Sequence, residues 1–553
     1  MGVGRSKDWQ YWLMIFVILA SFLLLITASM DLMVVKSDYY KNLARDNKVR
    51  ELRVPAGRAE IYDRKGRVIA KSIYAYFHLV EGSKVFDKIG GFDGLRFEGK
   101  DLAYELKRKY SYGESLSTVS GYLGELRADE LKDWKQRNCH KGISNKSLVG
   151  RGGVEEYFDC QLRGIDGKRL VEVDAKGDYV RELGRVDPQR GEDVHLSLDA
   201  YWQKKIYGLL KGRKAVVVMS QPKDGKIIAL VSSPAFDPNL FSFEKDNKKI
   251  KELLNDKENL PMLNRVVLAR YQPGSVFKMV VATAGLEMGK INGNSLIEDT
   301  GVIRIGDYSY SNWLWNKRGQ TDGQVDVVKA IKRSNDIFFY RLGERVGVDG
   351  IKSWAKKFGL EDKTGVELKG ELKGIVPDEK WKLEQEGEKW YLGNTFHLAI
   401  GQGGLSVTPL EINRMTNVIA SGGKKCQMTL LKDKKKDCQD LGIKKENLDL
   451  VVKGMKGACH KGGTAWPLFN FKTELACKTG TAQVGDGSGD SQAWLTAFAP
   501  ADDPEISITV LVERGGEGSD EAAPIAGDIL KDWFDEPETK VPRYGEGKKV
   551  VYE

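Results

Sequence analysis

The sequence predicts an α+β fold, in which one sheet packs against a helical region behind an N-terminal pedestal and one transmembrane helix. Three observations support this prediction. A run of 22 residues near the N-terminus carries no charge, strand-like segments occur on both sides of a mainly helical stretch, and 553 residues are too many for one hydrophobic core. Strands at both ends of a helical stretch indicate one sheet assembled from distant segments.

The uncharged run between Asp8 and Asp31 predicts a transmembrane helix over residues 9–33, with residues 1–8 as a cytoplasmic end. As a helix, 22 residues span roughly 33 Å, which matches the hydrocarbon core of a bilayer. The alternative is a cleaved signal peptide, but the apolar run is longer than the core of a usual signal peptide.

Residues around this run predict its orientation. Trp9, Tyr11 and Trp12 begin it, where aromatic rings anchor at the membrane interface. Arg5 and Lys7 precede it, as positive residues do on the cytoplasmic side. We therefore expect a single-pass protein of the cytoplasmic (inner) membrane, with its N-terminus inside and the remaining chain periplasmic or extracellular.

Charge and cysteine content exclude some function classes. The chain has 87 Lys and Arg against 78 Asp and Glu; this net charge of +9 suits an anionic membrane or envelope surface and is too diffuse for a nucleic-acid-binding patch. Six cysteines without a C-x-x-C pair indicate neither a disulfide scaffold nor a zinc site. We expect this chain to bind no nucleic acid, metal or cofactor. Cys426 with Cys438, and Cys139 with Cys160, are candidate disulfides, and free thiols are an equal alternative.

The chain after the membrane helix divides by its sequence pattern into two parts. Residues 34–188 mix short apolar runs with Gly and charge clusters, including a turn at residues 63–66 between two extended runs, and predict a pedestal. Longer strands and amphipathic helices begin at Asp193, so we place a second domain at residues 189–535. Residues 536–553 are predicted to form a poorly ordered tail.

The run SVFKMVVATAGL predicts a buried helix with one charge, Lys278. Pro273 and Gly274 break the chain before it, so Ser275 is expected at the helix N-terminus, with Lys278 one turn later on the same face. Burial lowers the pKa of a lysine, and a neutral amine can take the serine proton and create a nucleophile. For an isolated pair, a serine N-cap followed by a snorkelling lysine is the commoner interpretation.

A break between two helical stretches supplies a second set of polar groups. VVKAIKRSNDIFFYRLGERVG reads as two helices interrupted at Ser334, Asn335 and Asp336, which are residue types that prefer caps and turns. An N-cap alone explains this pattern. If the break lines the same cleft, Ser334 is a candidate proton relay next to Lys278, and Asp336 is a candidate for orienting the network.

The extended run Lys478-Thr479-Gly480-Thr481 predicts a substrate-binding strand. Gly480 leaves room for a ligand backbone, and the lysine and threonine side chains are candidates for holding a terminal carboxylate. The N–H groups of Thr481 and Ser275 are candidates for an oxyanion hole, because free N–H groups at a helix N-terminus stabilise negative charge. A second Lys-Thr-Gly, at residues 363–365, lies in a polar turn and is predicted to be structural.

The ordered set Ser-x-x-Lys, Ser-x-Asp and Lys-Thr-Gly is the pattern of penicillin-binding proteins and serine β-lactamases. Each motif is weak alone, and their order makes the set specific. The chain resembles class B penicillin-binding proteins over most of its length, through PAGRAEIYDRKG, LVGRGGVEEYFD, IGQGGLSVTPLEI and KTGTAQV. SSPAFDPNLF, PMLNR and YQPGSVFK resemble the elongation (rod-shape) type more than the septal type. One departure is Asp336, where many members have Asn.

This resemblance implies a transpeptidase domain of the penicillin-binding and serine β-lactamase-like fold, an antiparallel sheet with a helical subdomain, on an elongated, non-catalytic pedestal of the dimerisation type. It implies a D,D-transpeptidase that acylates Ser275 with a donor stem peptide ending in D-Ala-D-Ala and transfers the acyl group to an amine of a neighbouring stem. Lys278 would be the base and Lys478 part of the catalytic set. β-Lactams are expected to acylate the same serine, and a polytopic SEDS-type membrane glycosyltransferase is the implied partner.

Three alternatives stay open after the sequence analysis. The first is a membrane β-lactam sensor or an inactive scaffold of the elongation complex, although such sensors usually carry several spans and a cytoplasmic effector. The second is a hydrolase, either a β-lactamase or a carboxypeptidase. The third is a septal transpeptidase that acts in division.

Overall fold

The structure is a computed structural model that describes residues 8–79, 86–89, 102–136, 143, 147–174, 179–244, 246–485 and 487–544. Its α-helices, numbered in chain order, are α1 (Asp8–Met30), α2 (Ser37–Lys48), α3 (Ser117–Ser120), α4 (Leu131–Lys135), α5 (Gly153–Tyr157), α6 (Asp159–Leu162), α7 (Ala200–Leu210), α8 (Asn247–Asn255), α9 (Lys278–Glu287), α10 (Trp313–Arg318), α11 (Val327–Arg333), α12 (Asp336–Lys357), α13 (Glu379–Glu386), α14 (Leu392–Ala399), α15 (Pro409–Ala420), α16 (Lys445–Ala458) and α17 (Ala522–Trp533).

The strands are likewise numbered in chain order. They are β1 (Val49–Val54), β2 (Ile61–Tyr62), β3 (Val68–Leu79), β4 (Phe86–Ile89), β5 (Leu102–Tyr110), β6 (Tyr122–Glu125), β7 (Leu148–Arg151), β8 (Gly167–Val173), β9 (Tyr179–Val186), β10 (Val194–His195), β11 (Ala215–Ser220), β12 (Ile227–Ser233), β13 (Ile297–Asp299), β14 (Val302–Ile305), β15 (Tyr308–Ser311), β16 (Gly323–Val325), β17 (Lys424–Cys426), β18 (Cys438–Asp440), β19 (Ala476–Gln483), β20 (Ser491–Ala499) and β21 (Ile506–Val512).

Helix α1 is the predicted membrane anchor. With the π-helical turn Asp31–Val35 it forms an apolar segment of 28 residues, none of which is buried by protein. Among the described residues it is the one helix long and apolar enough to cross a membrane. Apolar side chains exposed over such a length match a bilayer core, so the structure supports a single N-terminal anchor.

The chain divides into two compact units, each built from separated segments. The first falls in residues 1–58 and 163–191 and contains an antiparallel sheet of order β1-β8-β9. The second falls in residues 59–162 and 192–553. Residues 59–162, which the sequence analysis assigns to the pedestal, therefore group with the C-terminal part of the chain. The domain boundaries drawn from sequence stay predictions.

The second unit contains a five-stranded antiparallel sheet of order β12-β11-β21-β20-β19. Strands β11, β12 and β21 bury every residue, because α15 covers one face of the sheet and α7 and α17 cover the other. The predicted sheet of distant segments is thus confirmed. Strand β19 lies at its edge, which leaves one side of that strand free to border a cleft.

Two further predictions concern the ends of this unit. The turn at residues 63–66 is present, because the Asp63 carboxylate accepts from the N–H groups of Lys65 and Arg67 at 2.9 and 2.8 Å. The tail, predicted to be poorly ordered, is hydrogen-bonded to the rest of the unit at its first residue, because the Glu536 carboxylate accepts from the Thr473 N–H at 2.8 Å. The last nine positions of the predicted tail lie outside the described residues.

Disulfides account for the described cysteines. Cys426, in one of the two candidate pairs, bonds to Cys438 and joins β17 to β18. Cys459 bonds to Cys477, a pair that sequence reasoning missed, because it joins the end of α16 to β19 through tertiary packing. Cys160 is disulfide-bonded, and Cys139 lies outside the described residues.

Candidate active site

Ser275 lies in a 3-10 turn, Gly274–Phe277, that leads directly into the buried helix α9. Gly274 has a φ of +56°, and its N–H donates to the Gly401 carbonyl at 2.8 Å. A Cβ at Gly274 would lie 2.7 Å from the Thr481 carbonyl oxygen, so only glycine allows this approach. The Ser275 side chain is partly exposed and lines a cleft of about 500 Å³.

Lys278, the first residue of α9, is fully buried and points to the break between α11 and α12. Its Nζ donates to Asp336 Oδ1 at 2.6 Å, to the Ser334 carbonyl at 2.9 Å and to Ser334 Oγ at 3.3 Å. Within the described residues, no hydrogen bond joins the Ser275 hydroxyl to the Lys278 amine. The lysine instead holds the second motif in place.

The second motif sits where α11 ends and α12 begins. Ser334 adopts a left-handed conformation, with φ of +55°, which is uncommon for a residue other than glycine and is held here by the surrounding bonds. Asn335 caps α12 by accepting from the Phe338 N–H at 2.9 Å. Asp336 is the first residue of α12, and its N–H donates to the Asn312 side chain at 3.2 Å. The break predicted from sequence is therefore confirmed, and it lines the cleft.

Lys478 brings the third motif to the same point. Its side chain is fully buried, and Nζ donates to Ser334 Oγ at 2.8 Å and to the Thr479 carbonyl at 2.9 Å. Ser334 Oγ is thus shared by Lys278 and Lys478, one from a helix and one from the edge strand β19. The three sequence motifs, which span more than 200 residues of chain, converge within hydrogen-bonding distance of this hydroxyl.

The pKa values of both buried lysines are lowered. Burial lowers the pKa of Lys278, and the charge and hydrogen bond of Asp336 oppose this effect. Burial also lowers the pKa of Lys478 well below its usual range, the positive charge of Lys278 lowers it further, and Asp336 again opposes. Two amines that share one carboxylate in a buried cluster do not both hold a proton easily.

The remaining strand residues differ partly from expectation. Thr479 lines the cleft and its hydroxyl is 2.7 Å from that of Thr464, while Thr481 is exposed and accepts from the Gly518 N–H at 3.3 Å. Gly480 does not simply leave room for a ligand, because a Cβ there would lie 2.9 Å from the Pro273 carbonyl oxygen. This glycine lets the turn that carries Ser275 pack against β19.

Several cleft residues carry no sequence signal that would have identified them. Tyr310, Tyr340, His397 and Thr464 line the cleft beside the motif residues. Trp313 lines it too and braces the second motif, because its indole N–H donates to the Arg333 carbonyl at 2.8 Å. These side chains come from separate elements that meet only in the folded chain.

Comparisons with known proteins agree with this geometry. The penicillin binding protein transpeptidase domain matches residues 215–531, and the penicillin-binding protein dimerisation domain matches residues 94–196. The peptidoglycan D,D-transpeptidase MrdA of Acinetobacter baumannii is 34% identical over 79% of this chain and 68% of its own length.

Solved structures that resemble this chain are also penicillin-binding or peptidoglycan-synthesis proteins. PBP2 of Helicobacter pylori, in a complex with MreC, has a TM-score of 0.75 and 27% identity, covering 89% of this chain and 99% of that one. A chain of a peptidoglycan synthase complex that coordinates polymerization and crosslinking has a TM-score of 0.77 and 28% identity, covering 96% of this chain and 99% of that one. These matches, together with the converging motifs, show that the chain belongs to the penicillin-binding protein family with a transpeptidase domain.

Proposed function

We propose that this chain is a peptidoglycan D,D-transpeptidase that cross-links stem peptides during cell-wall elongation through an acyl-enzyme on Ser275. The observation that carries this proposal is the meeting of three motifs at Ser334, whose Oγ is 3.3 Å from Lys278 Nζ and 2.8 Å from Lys478 Nζ. Relatives named MrdA support the elongation role over a septal one.

In the proposed acylation step, the Ser275 oxygen attacks the carbonyl carbon of the penultimate D-Ala. A C–O bond forms while the hydroxyl proton passes to Lys278, which follows one turn later on α9. The C–N bond then breaks, and the terminal D-Ala leaves as an amine that takes a proton through Ser334. In the second step an acceptor amine attacks the ester carbonyl and loses a proton to the same base as the C–N bond forms. The C–O bond to Ser275 then breaks, and the serine oxygen takes that proton back from Lys278, which restores the hydroxyl.

The charge balance of the buried cluster supports Lys278 as the base. Its pKa is lowered by burial, so the energetic cost of making it neutral is smaller than for a hydrated lysine. Asp336, at 2.6 Å, stabilises the ammonium that forms when the serine proton arrives. Ser334, between the two amines, provides a path by which that proton reaches the leaving group.

The N–H groups of Ser275 and Thr481 form the proposed oxyanion hole. Support comes from the close approach of their backbones, because a Cβ at Gly274 would lie 2.7 Å from the Thr481 carbonyl oxygen. Fixed N–H donors in a partly dehydrated cleft stabilise charge that develops on an attacked carbonyl. Thr479 and Thr481, with Lys478, form the proposed cradle for the donor carboxylate.

The proposed setting is the outer side of the cytoplasmic membrane, with the short N-terminal segment inside. The apolar helix and the preceding Arg5 and Lys7 support this orientation. A solved relative that belongs to a complex for polymerization and crosslinking supports a membrane glycosyltransferase of the SEDS type as partner, and the MreC complex of the Helicobacter pylori protein supports a scaffold contact. Donor and acceptor stem peptides and β-lactams complete the proposed set of ligands.

The proposal is tested by incubating the full-length protein with a fluorescent penicillin. We expect a long-lived covalent adduct that is lost in Ser275→Ala and kept in Ser309→Ala, a cleft-lining serine outside the motifs. Rapid release of label would indicate a β-lactamase, and the absence of label would indicate a scaffold. Penicillin acylation without cross-linking of stem peptide to an acceptor amine would indicate a sensor.

A further inference from the structure

The disulfide between Cys459 and Cys477 lies next to the catalytic cluster. Cys477 is the residue before Lys478 on β19, and its side chain is fully buried. Successive side chains of a strand point to opposite faces, so the disulfide holds β19 from the face opposite to the Lys478 amine. Cys459 directly follows α16.

Helix α16 is also packed closely against α11, the helix that ends immediately before Ser334. A Cβ at Gly454 would lie 2.6 Å from Ile331 Cβ, and a Cβ at Gly457 would lie 3.1 Å from Lys332 Cδ. The two glycines therefore permit a contact that larger residues would push apart. Helix α16 thus touches the element that carries the second motif and is bonded covalently to the strand that carries the third.

The loop after Cys459 repeats this connection with hydrogen bonds. The Gly462 carbonyl accepts from Arg333 Nη1 at 3.0 Å, and the Thr464 hydroxyl is 2.7 Å from that of Thr479. The loop closes on its own helix, because the Ala465 N–H donates to the Ala458 carbonyl at 3.0 Å. One short segment therefore contacts the residue before Ser334 and the residue after Lys478.

We infer that the Cys459–Cys477 disulfide is a positioning element for the reaction, which fixes β19 relative to α11 and so keeps Lys478 Nζ on Ser334 Oγ. The inference rests on the roles proposed above for Lys478 and Ser334. The bonds from Lys478 Nζ go to a hydroxyl and a carbonyl, not to a carboxylate. Among the described residues, no ion pair at hydrogen-bonding distance anchors this buried amine, so the covalent bond at the preceding residue fixes the strand that carries it.

The second described disulfide provides a matched control. Cys426 and Cys438 close a loop of sequence separation 12, against 18 for Cys459 and Cys477. A disulfide stabilises the fold by lowering the entropy of the unfolded chain, and this effect grows only slowly with the length of the closed loop. Removing either bond is therefore expected to lower the melting temperature by a similar amount. Neither disulfide lines the cleft, but Cys426 and Cys438 join β17 to β18, which carry no motif residue, so a loss of stability alone would slow the two variants alike.

The test compares Cys459→Ala with Cys426→Ala by the second-order rate constant of penicillin acylation from pH 5 to 10. We expect Cys459→Ala to acylate at least tenfold more slowly at pH 7 and Cys426→Ala to stay within twofold of the wild type. The rise of the rate with pH is expected to move to higher pH only in Cys459→Ala. The charged groups that act on Lys478 are Lys278 from α9 and Asp336 from α12. In Cys459→Ala, water that enters between these groups solvates the ammonium form of each lysine and so raises its pKa.

Three outcomes overturn the inference. The first is a wild-type rate of acylation in Cys459→Ala. The second is a slower rate whose pH profile has not moved, because a merely structural role would give that result. Loss of the cooperative thermal transition in both Cys459→Ala and Cys477→Ala also overturns it, because the bond would then support the whole domain. Ser275→Ala is measured alongside: if it still forms the adduct, the proposed function itself fails, whatever the disulfide variants do.

Discussion

Asp336→Asn changes the charge of the catalytic cluster while keeping the size of the side chain. The Asp336 carboxylate lies 2.6 Å from Lys278 Nζ and raises the pKa of that buried amine against the effect of burial. An opposite charge at such a distance typically moves a pKa by about 1 to 3 units, or about 1.4 to 4 kcal/mol. Removing it therefore lowers the pKa of Lys278, and the neutral base becomes available at lower pH.

The assay is the rate constant of penicillin acylation between pH 5 and 10. We expect the rising limb of the Asp336→Asn profile to lie at lower pH than that of the wild type, because the carboxylate that raises the pKa of Lys278 is removed. Glu517→Gln is the control, because Glu517 lines the cleft but pairs with Lys317 and not with the cluster; its profile is expected to match the wild type. A limb that stays in place, or moves to higher pH, would refute the assignment of Lys278 as the titrating base.

Three further outcomes are expected from the same geometry. Gly480→Ala places a Cβ 2.9 Å from the Pro273 carbonyl and should slow acylation at least tenfold by displacing the nucleophile turn, whereas Gly485→Ala, which meets nothing within 4 Å, should acylate normally. Lys478→Met should abolish cross-linking yet raise the melting temperature. The pKa of Lys478 is lower in the folded than in the unfolded chain, so its charged form destabilises the fold at pH values below the folded pKa. This cost disappears as the pH rises towards 10.5. The stabilisation should therefore be largest below the folded pKa of Lys478, decline as the pH rises towards 10.5 and be absent above that value, and a melting temperature that falls at neutral pH would contradict it. Ser334→Gly keeps the left-handed backbone but removes the relay, so acylation should fall by about 10² to 10⁴-fold without loss of the thermal transition; an unchanged rate would exclude the relay.

Sequence patterns predicted the parts of this protein that depend on local chemistry. The apolar surroundings of Lys278 predicted a buried helix with one amine, and α9 has that form. The cap-forming residues at Ser334 and Asn335 predicted a helix break, which the structure confirms. Apolar and β-branched runs located β11, β19 and β21.

Other features depend on contacts between distant segments, which local patterns do not encode. The partner of Lys278 in this state is Asp336 and not Ser275, because the tertiary position of α12 decides which oxygen is nearest. Gly480 serves the packing of the nucleophile turn, a role that requires knowing which element crosses the strand. Cys459 and Cys477 have no recognisable spacing, and their pairing follows only from how α16 lies beside β19.

The account depends most directly on Ser275 as the residue that carries the acyl group. Intact-protein mass spectrometry after exposure to a donor peptide ending in D-Ala-D-Ala, followed by proteolysis, locates that group on the chain. We expect the mass of the donor less one D-Ala on the peptide that contains Ser275, discharged when an acceptor amine is added. An adduct on any other residue, or an adduct that persists in Ser275→Ala, would contradict the account.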